Sequence, residues 1–300
     1  MLNLKAFGIT DIGNVRKENE DNFLIENFQC KGNNCLLIAV ADGVGGAKAG
    51  GTASKIAIDT VKEVLFDMQK VTTDVLKTSI GIANKNIFEM SLKDENYRGM
   101  ATTFTAIVFT EDTFILGHVG DSRMYIVRDD NIKLLTEDHT VVSRLFKDGV
   151  IAEEDMKNHP QRNVLSNALG IQDEISIDIS QYKIYENDVY VICTDGLYKY
   201  IDDNEIKDTV KNIPLENLTE YFVSKAKERG GDDNISVVVV KVDSSLDERE
   251  TVKIPTTDLF SEKNNRRKFI YVAILIFIMS IIGIYLIFGG CDRYNNFFFR

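Results

Sequence analysis

The chain has 300 residues and a formal net charge of −11, with 46 Asp and Glu against 35 Lys and Arg. Hydrophobic residues make up 44% and charged residues 27%, an ordinary globular balance that excludes wholesale disorder. The acidic balance and the absence of basic runs exclude nucleic acid as the main partner, because phosphate-backbone binding needs clustered Lys and Arg.

The N-terminus, MLNLKAFGIT, has no sustained apolar stretch and carries no signal-peptide pattern. Short apolar or alternating runs predict strands at 4–10, 22–28, 35–41, 103–110, 113–119, 123–128, 188–194 and 235–242. Helical periodicity predicts helices at 50–69, 73–92, 138–148, 203–211 and 215–228. The last of these follows Pro214 and stops before Gly230-Gly231, plausible start and stop signals. Helices come in consecutive pairs and strands in consecutive runs. That order favours antiparallel sheets covered by helices, an α+β arrangement, over a doubly wound parallel sheet.

Residues 1–242 read as one domain. Residues 243–265, DSSLDERETVKIPTTDLFSEKNN, read as a polar linker. Phe269–Phe288 is twenty residues without a charge, long enough to cross a hydrocarbon core of ~30 Å. Arg266, Arg267 and Lys268 stand directly before it, so 266–288 reads as a basic flank and a transmembrane helix. The positive-inside rule keeps that flank and the domain before it in the cytoplasm. Residues 289–300 would form a short outer tail, giving a single-pass cell-membrane protein. The charge is split accordingly. Residues 266–300 hold five basic residues and one acid, which leaves 30 basic and 45 acidic residues, a net −15, in 1–265.

Cys30, Cys35, Cys193 and Cys291 form neither a disulfide framework nor a zinc site, and Cys193 inside an apolar run reads as a small buried hydrophobe. Acids occur in a more telling context. Asp42 follows CLLIAVA, Asp121 follows FILGHVG, Asp195 follows VYVICT, and Asp233 precedes the run ISVVVV. Three carboxylates leave the ends of strands and one stands before the start of another. In antiparallel sheets such positions meet at one edge. Ionised carboxylates gathered there repel strongly, and a divalent cation removes the cost. All-oxygen ligands select Mg²⁺, Mn²⁺ or Ca²⁺. Taken singly, an Asp-Gly pair is equally a turn, and Asp148-Gly149 at a predicted helix end is read as one. Upstream, DIGNVRKENEDNF at 11–23 gathers Arg16, Glu20 and Asp21. Arginine suits a planar grip on phosphate, while a solvated turn with salt bridges is the plainer reading of this stretch alone.

Together these stretches resemble the metal-dependent Ser/Thr protein phosphatases (PPM, the type 2C class), and the bacterial branch most closely. The resemblance runs in order through DIGNVRKENEDNF (11–23), ADGVGGAKAG (41–50), RGMATTFTAIVF (98–109) and GHVGDSRMYIV (117–127). It continues through TEDHTVVSRLFKDGVI (136–151), HPQRNVLSNALG (159–170), CTDGL (193–197) and GGDDNISVVVV (230–240). It implies an αββα sandwich: two antiparallel sheets face to face with helix pairs outside. It implies two Mn²⁺ or Mg²⁺ ions, bridged by Asp42. Asp195 and Asp233 would complete the first site, and the Gly43 carbonyl would join Asp42 at the second. Glu20 and Asp21 would hold metal-bound waters. Asp121 would form a third, weaker site with Asp195, and Arg16 would bind the substrate phosphate. The implied activity is hydrolysis of phosphoserine and phosphothreonine by a metal-bridged water, without a phosphoenzyme. The implied partners are phosphorylated proteins, among them substrates of a Ser/Thr kinase or the kinase itself.

The pattern has departures. Val44 and Ala47 stand where some members carry a histidine, and the usual Gly-Thr-Thr is Ala101-Thr102-Thr103. His118, inside a predicted strand, reads as a core residue, and neither His139 nor His159 is read as the acid for the leaving group. Residues 140–170 match a variable flap, where Arg144, Lys147 and Arg162 either touch substrate or are solvated charge. Two other readings differ in class: a membrane-anchored phosphatase-like scaffold that binds phosphopeptides without turnover, and an acidic Ca²⁺-binding structural domain.

Overall fold

A computed structural model describes residues 3–30, 32–45 and 49–243. The expected transmembrane segment, its basic flank, the outer tail and all of the linker but Asp243 lie outside the described residues, as does Ala47. In chain order the elements are β1 (Leu4–Asp11), β2 (Asn22–Cys30), β3 (Asn33–Ala41), β4 (Gly43–Val44), α1 (Ala49–Phe66) and α2 (Thr73–Lys93). Then come β5 (Ala101–Thr102), β6 (Phe104–Phe109), β7 (Thr113–Val119), β8 (Arg123–Arg128), β9 (Asn131–Leu134), α3 (Val141–Lys147) and α4 (Glu153–Met156). The chain continues through β10 (Asp178–Lys183), β11 (Val189–Cys193), α5 (Asp195–Tyr198), α6 (Asp203–Asn212), α7 (Leu215–Glu228) and β12 (Ile235–Val242).

The strands make two five-stranded antiparallel sheets, ordered β1-β12-β11-β8-β9 and β10-β7-β6-β3-β2, and a small pair β4-β5. Alternation along β3 shows how they stack. Cys35, Leu37, Ala39 and Ala41 pack with Ala53, Ala57 and Val61 of α1 and Leu76, Ile80 and Ala83 of α2. The intervening Leu36, Ile38 and Val40 are equally buried and point to the opposite face, towards the other sheet. Across that interface the Tyr190 ring of β11 meets Phe109 and Phe114 edge-on at 5.2 and 5.0 Å. On the far side, Val191, Cys193, Val237 and Val239 pack against Ile206 of α6 and Phe222, Val223 and Ala226 of α7. The result is the expected αββα sandwich. Because both faces of the central strands are covered, they read as continuous apolar runs rather than alternating ones.

Local signals account for the helices. The Thr72 hydroxyl accepts from the Val75 amide and opens α2, whose buried Leu76, Ile80, Ala83 and Ile87 form one stripe. Pro214 opens α7, and Gly230 (φ +150°) follows its end. Each fully buried large side chain of this kind, such as Phe222, contributes about 1.5–3 kcal/mol. Asp148 caps α3 and Gly149 adopts φ +71°, the turn expected there. The helix predicted from 138 starts at Val141 because the Thr140 hydroxyl caps the Ser143 amide. Strands β9 and β10 carry no prediction. Both are sheet edges with half-exposed, largely polar sequences, NIKL and DISQYK.

Candidate active site

The antiparallel register brings one end of each sheet to a common pole. Asn22 at the start of β2 faces Ala41 at the end of β3, and Asp11 at the end of β1 faces Ile235 at the start of β12. Cys193, ending β11, pairs with both Val237 and Arg123. The loops at this pole carry Arg16, Glu20, Asp21, Asp42, Asp121, Asp195 and Asp233. A cavity of about 570 Å³ opens there, lined among others by Arg16, Glu20, Asp42, Asp121, Asp195 and Asp233. Every predicted site residue except Asp21 lines it, Gly43 included. Asp21 lies just behind, 4% exposed.

The carboxylates at this pole are incompletely paired; Asp21 and Asp121 are buried, and Glu20, Asp42, Asp195 and Asp233 are partly buried. Asp21 Oδ2 accepts from the Thr194 hydroxyl at 2.9 Å and the Ser236 hydroxyl at 2.8 Å, but its Oδ1 is buried with no partner. Glu20 Oε1 and Asp195 Oδ1 are buried and unpartnered too. Burial, reinforced by Asp195 and Asp233, pushes the Asp21 carboxyl up to about 7. Burial and Asp195 do the same for Asp121. Asp42 is lifted well above the carboxylate range by burial and by Asp21, Asp195, Asp121 and Asp233 around it. Asp195 is raised by burial, with Lys199 opposing. Two cations answer part of this charge. Arg16 Nη2 lies 2.9 and 3.0 Å from the two oxygens of Asp233, and Lys199 Nζ lies 2.8 Å from Asp195 Oδ2 and 3.3 Å from Asp233 Oδ2. With these pairs in place, no three acidic, His or Cys side chains among the described residues close around one point at ligand distance.

Four uncharged side chains hold the loops, and the sequence reading assigned them no role. Asn234 Nδ2 donates to the carbonyls of Ile12 and Glu18, and its Oδ1 accepts from the Glu20 amide, so it staples the Arg16–Glu20 loop to the start of β12. Thr103 Oγ1 accepts from the Asp42 amide at 2.9 Å and meets Ser122 Oγ at 2.7 Å. The Thr102 hydroxyl donates to the Asp42 carbonyl. Asn234 is adjacent to Asp233, Thr102 and Thr103 stand in the Ala-Thr-Thr stretch, and Ser122 follows Asp121; proximity to a singled-out acid was the available signal. Gly43 is required by close approach: a Cβ there would stand 2.2 Å from the Gly50 carbonyl oxygen and 2.7 Å from that of Glu20.

The histidines stand apart. His118 is 1% exposed, bonded to the Thr105 hydroxyl and the Glu137 carbonyl, and burial pushes its pKa down to about 4, as befits a core residue. His139 and His159 do not line the cavity. Of the flap, Asn163 and Leu165 line it. Arg144, Lys147 and Arg162 do not; Arg144 faces Asp148 and Lys147 pairs with Glu137.

Partly buried, partly orphaned carboxylates at the open end of an αββα sandwich suit hard divalent cations. The model of the family described as "Protein phosphatase 2C" matches residues 15–236, and the chain belongs to that family. It is 34% identical over 242 residues to the serine/threonine phosphatase stp of Listeria welshimeri, covering 77% of this chain and 93% of that protein. Its fold superposes on a solved serine/threonine phosphatase of S. agalactiae with a TM-score of 0.74 at 31% identity, covering 80% of this chain and all of that one. It also superposes on the catalytic domain of the serine/threonine phosphatase PstP, solved in complex with two manganese ions, with a TM-score of 0.72 at 28% identity, covering 81% of this chain and all of that one. The chain is thus a metal-dependent protein serine/threonine phosphatase.

Proposed function

We propose that Asp42, Asp195, Asp233 and the Gly43 carbonyl hold two Mn²⁺ or Mg²⁺ ions in the polar cavity, with Glu20 and Asp21 positioning waters around them. The carrying observation is the set of buried, unpartnered oxygens Glu20 Oε1, Asp21 Oδ1 and Asp195 Oδ1 at one pole. A buried carboxylate oxygen without a donor is costly, and a hard divalent cation or its water ligand satisfies it. Bound there, the cations supply Lewis-acid chemistry and lower the pKa of a water into the neutral range. The protein's own residues do the rest. Arg16, half-exposed at the mouth, offers its guanidinium to the phosphoryl oxygens of a phosphoserine or phosphothreonine. Asn234 keeps that guanidinium over the cavity by fixing the loop, and Thr103 holds Asp42 against recoil when charge develops. No Ser, Cys or His lines the cavity among the described residues, the Thr103 hydroxyl is already engaged by Asp42 and Ser122, and the Asp42, Asp195 and Asp233 carboxylates are given to the ions in this reading. That supports direct attack by water and no phosphoenzyme. The test is hydrolysis of a phosphothreonine peptide by the full-length chain with Mn²⁺, abolished by EDTA and restored by added Mn²⁺. Turnover that survives EDTA overturns the assignment.

The partners in this reading are phosphorylated proteins, including substrates of a membrane Ser/Thr kinase and that kinase. The uncharged stretch 269–288 and its basic flank support a single-pass anchor with residues 1–242 in the cytoplasm. Such a tether raises the local concentration of membrane-bound substrates. Truncation before Arg266 should release the chain into the soluble fraction; a truncated chain that still sediments with membranes contradicts the anchor.

A further inference from the structure

We propose that the Lys199 ammonium is a built-in cation standing in for the third, weaker metal ion expected between Asp121 and Asp195, so that this phosphatase takes up two divalent ions and not three. The inference rests on the two-ion reading above. Helix α5 begins at Asp195, and Lys199 follows one turn later, on the same face. The sequence thereby delivers a positive charge to the acid that opens the helix. The ammonium reaches Asp195 Oδ2 at 2.8 Å and Asp233 Oδ2 at 3.3 Å, and the lysine side chain is only a quarter exposed.

The two oxygens of Asp195 have different fates. Oδ1 is buried and has no partner, so it remains available to the ion pair around Asp42. Oδ2 is taken by the ammonium. A third ion shared with Asp121 would compete with the ammonium for Asp195, and it would meet a fixed positive charge at the same wall of the cavity. Asp121 lines that cavity with Lys199 and is itself 7% exposed. One ammonium thus brings to Asp195, at a cavity wall that Asp121 also lines, the positive charge an additional cation would bring, and its covalent attachment gives it a permanent local concentration.

The experiment is Mn²⁺ titration of the metal-stripped full-length chain, followed by electron paramagnetic resonance of free Mn²⁺ and by calorimetry. The wild type should saturate at two ions. Lys199→Ala and Lys199→Met should each gain one weaker ion, Lys199→Arg should stay at two, and Lys199→Ala combined with Asp121→Ala should return to two. Retention of the two tighter sites reports that each variant is folded. Three ions on the wild type overturn the inference. So does a Lys199→Ala chain that still binds two and changes only their affinity. Phosphothreonine-peptide turnover is measured on the same wild-type sample. Turnover with three ions removes this inference alone, whereas neither turnover nor Mn²⁺ uptake removes the phosphatase reading and this inference with it.

Discussion

Strand β11 has an aspartate near each end, Asp188 fully buried and Asp195 partly buried, and the two are treated in opposite ways. Asp188 stands before its first residue, fully buried. Its Oδ1 accepts from Arg128 Nε at 2.6 Å, and its Oδ2 from Arg128 Nη2, the Tyr190 hydroxyl and the Tyr185 amide. Asp195 stands two residues past the other end, with one oxygen on Lys199 and the other on nothing. A carboxylate given a bidentate guanidinium and two further donors is part of the framework. Asp195, partly buried among four other acids and with an orphan oxygen, has no such set of donors and is free for the role proposed above. In the proposed reading the same strand therefore separates stability from chemistry, with its five residues between the two.

That contrast can be broken experimentally. The largest effect is expected at the chemical pole: Asp195→Ala should cost on the order of 10³-fold or more in kcat with phosphopeptide and Mn²⁺, while the thermal midpoint of the metal-free chain holds or rises. A metal-free midpoint that falls steeply would make Asp195 structural. At the other pole, Asp188→Ala leaves the Arg128 charge and the Tyr190 hydroxyl without their carboxylate and should cost about 3–5 kcal/mol in urea unfolding. Its kcat per folded molecule should be unchanged; a selective loss of kcat would put Asp188 in the catalytic machinery.

The pH dependence sharpens the same contrast. Asp21 and Asp121 have folded-state values lifted from 3.8 to about 7. The metal-free folded chain therefore holds protons that the unfolded chain releases. The contribution of these groups to stability is fully present below about pH 4 and is lost as pH rises through about 7. Mn²⁺ favours the ionised carboxylates, so the rise in Tm on adding Mn²⁺ should be larger at about pH 8 than at about pH 5.5. A rise that is flat or reversed with pH would dissociate the raised carboxyls from metal binding. The smallest effect is expected from Thr103→Val, which strands the Asp42 amide and the Ser122 hydroxyl. We expect about 1–3 kcal/mol in stability and about tenfold weaker Mn²⁺ binding by calorimetry; an unchanged Mn²⁺ affinity would leave Thr103 a purely structural residue.

How much of this was readable from residues alone depended on how strongly each feature is written into local pattern. The central strands were legible because burial on both faces demands unbroken apolar runs such as CLLIAVA and VYVIC. The edge strands β9 and β10 were not, because an edge with one solvated face tolerates sequences such as NIKL and DISQYK. The gathering of Asp42, Asp121, Asp195 and Asp233 was legible because each abuts a strand whose antiparallel partner ends at the same pole. Asn234, Thr103 and Ser122 were not, since their importance lies in hydrogen bonds to residues 60 to 220 positions away or across a sheet, which no periodicity records. The pairing of Lys199 with Asp195 lay in plain view as an i,i+4 spacing, but only the short helix α5 turns that spacing into contact.

Strand β12 begins beside Asp233 and ends at Val242, whose amide donates to the Asp188 carbonyl, and Asp243 next to it donates its amide to the Asn3 carbonyl. The polypeptide thus leaves the sandwich at the pole remote from the cavity, and from an interior strand of its sheet. Eight residues of β12 are zipped to β1 on one side and five to β11 on the other. Force applied to the chain beyond Asp243 runs along that strand and loads both ladders in shear, so their hydrogen bonds must fail together rather than one by one.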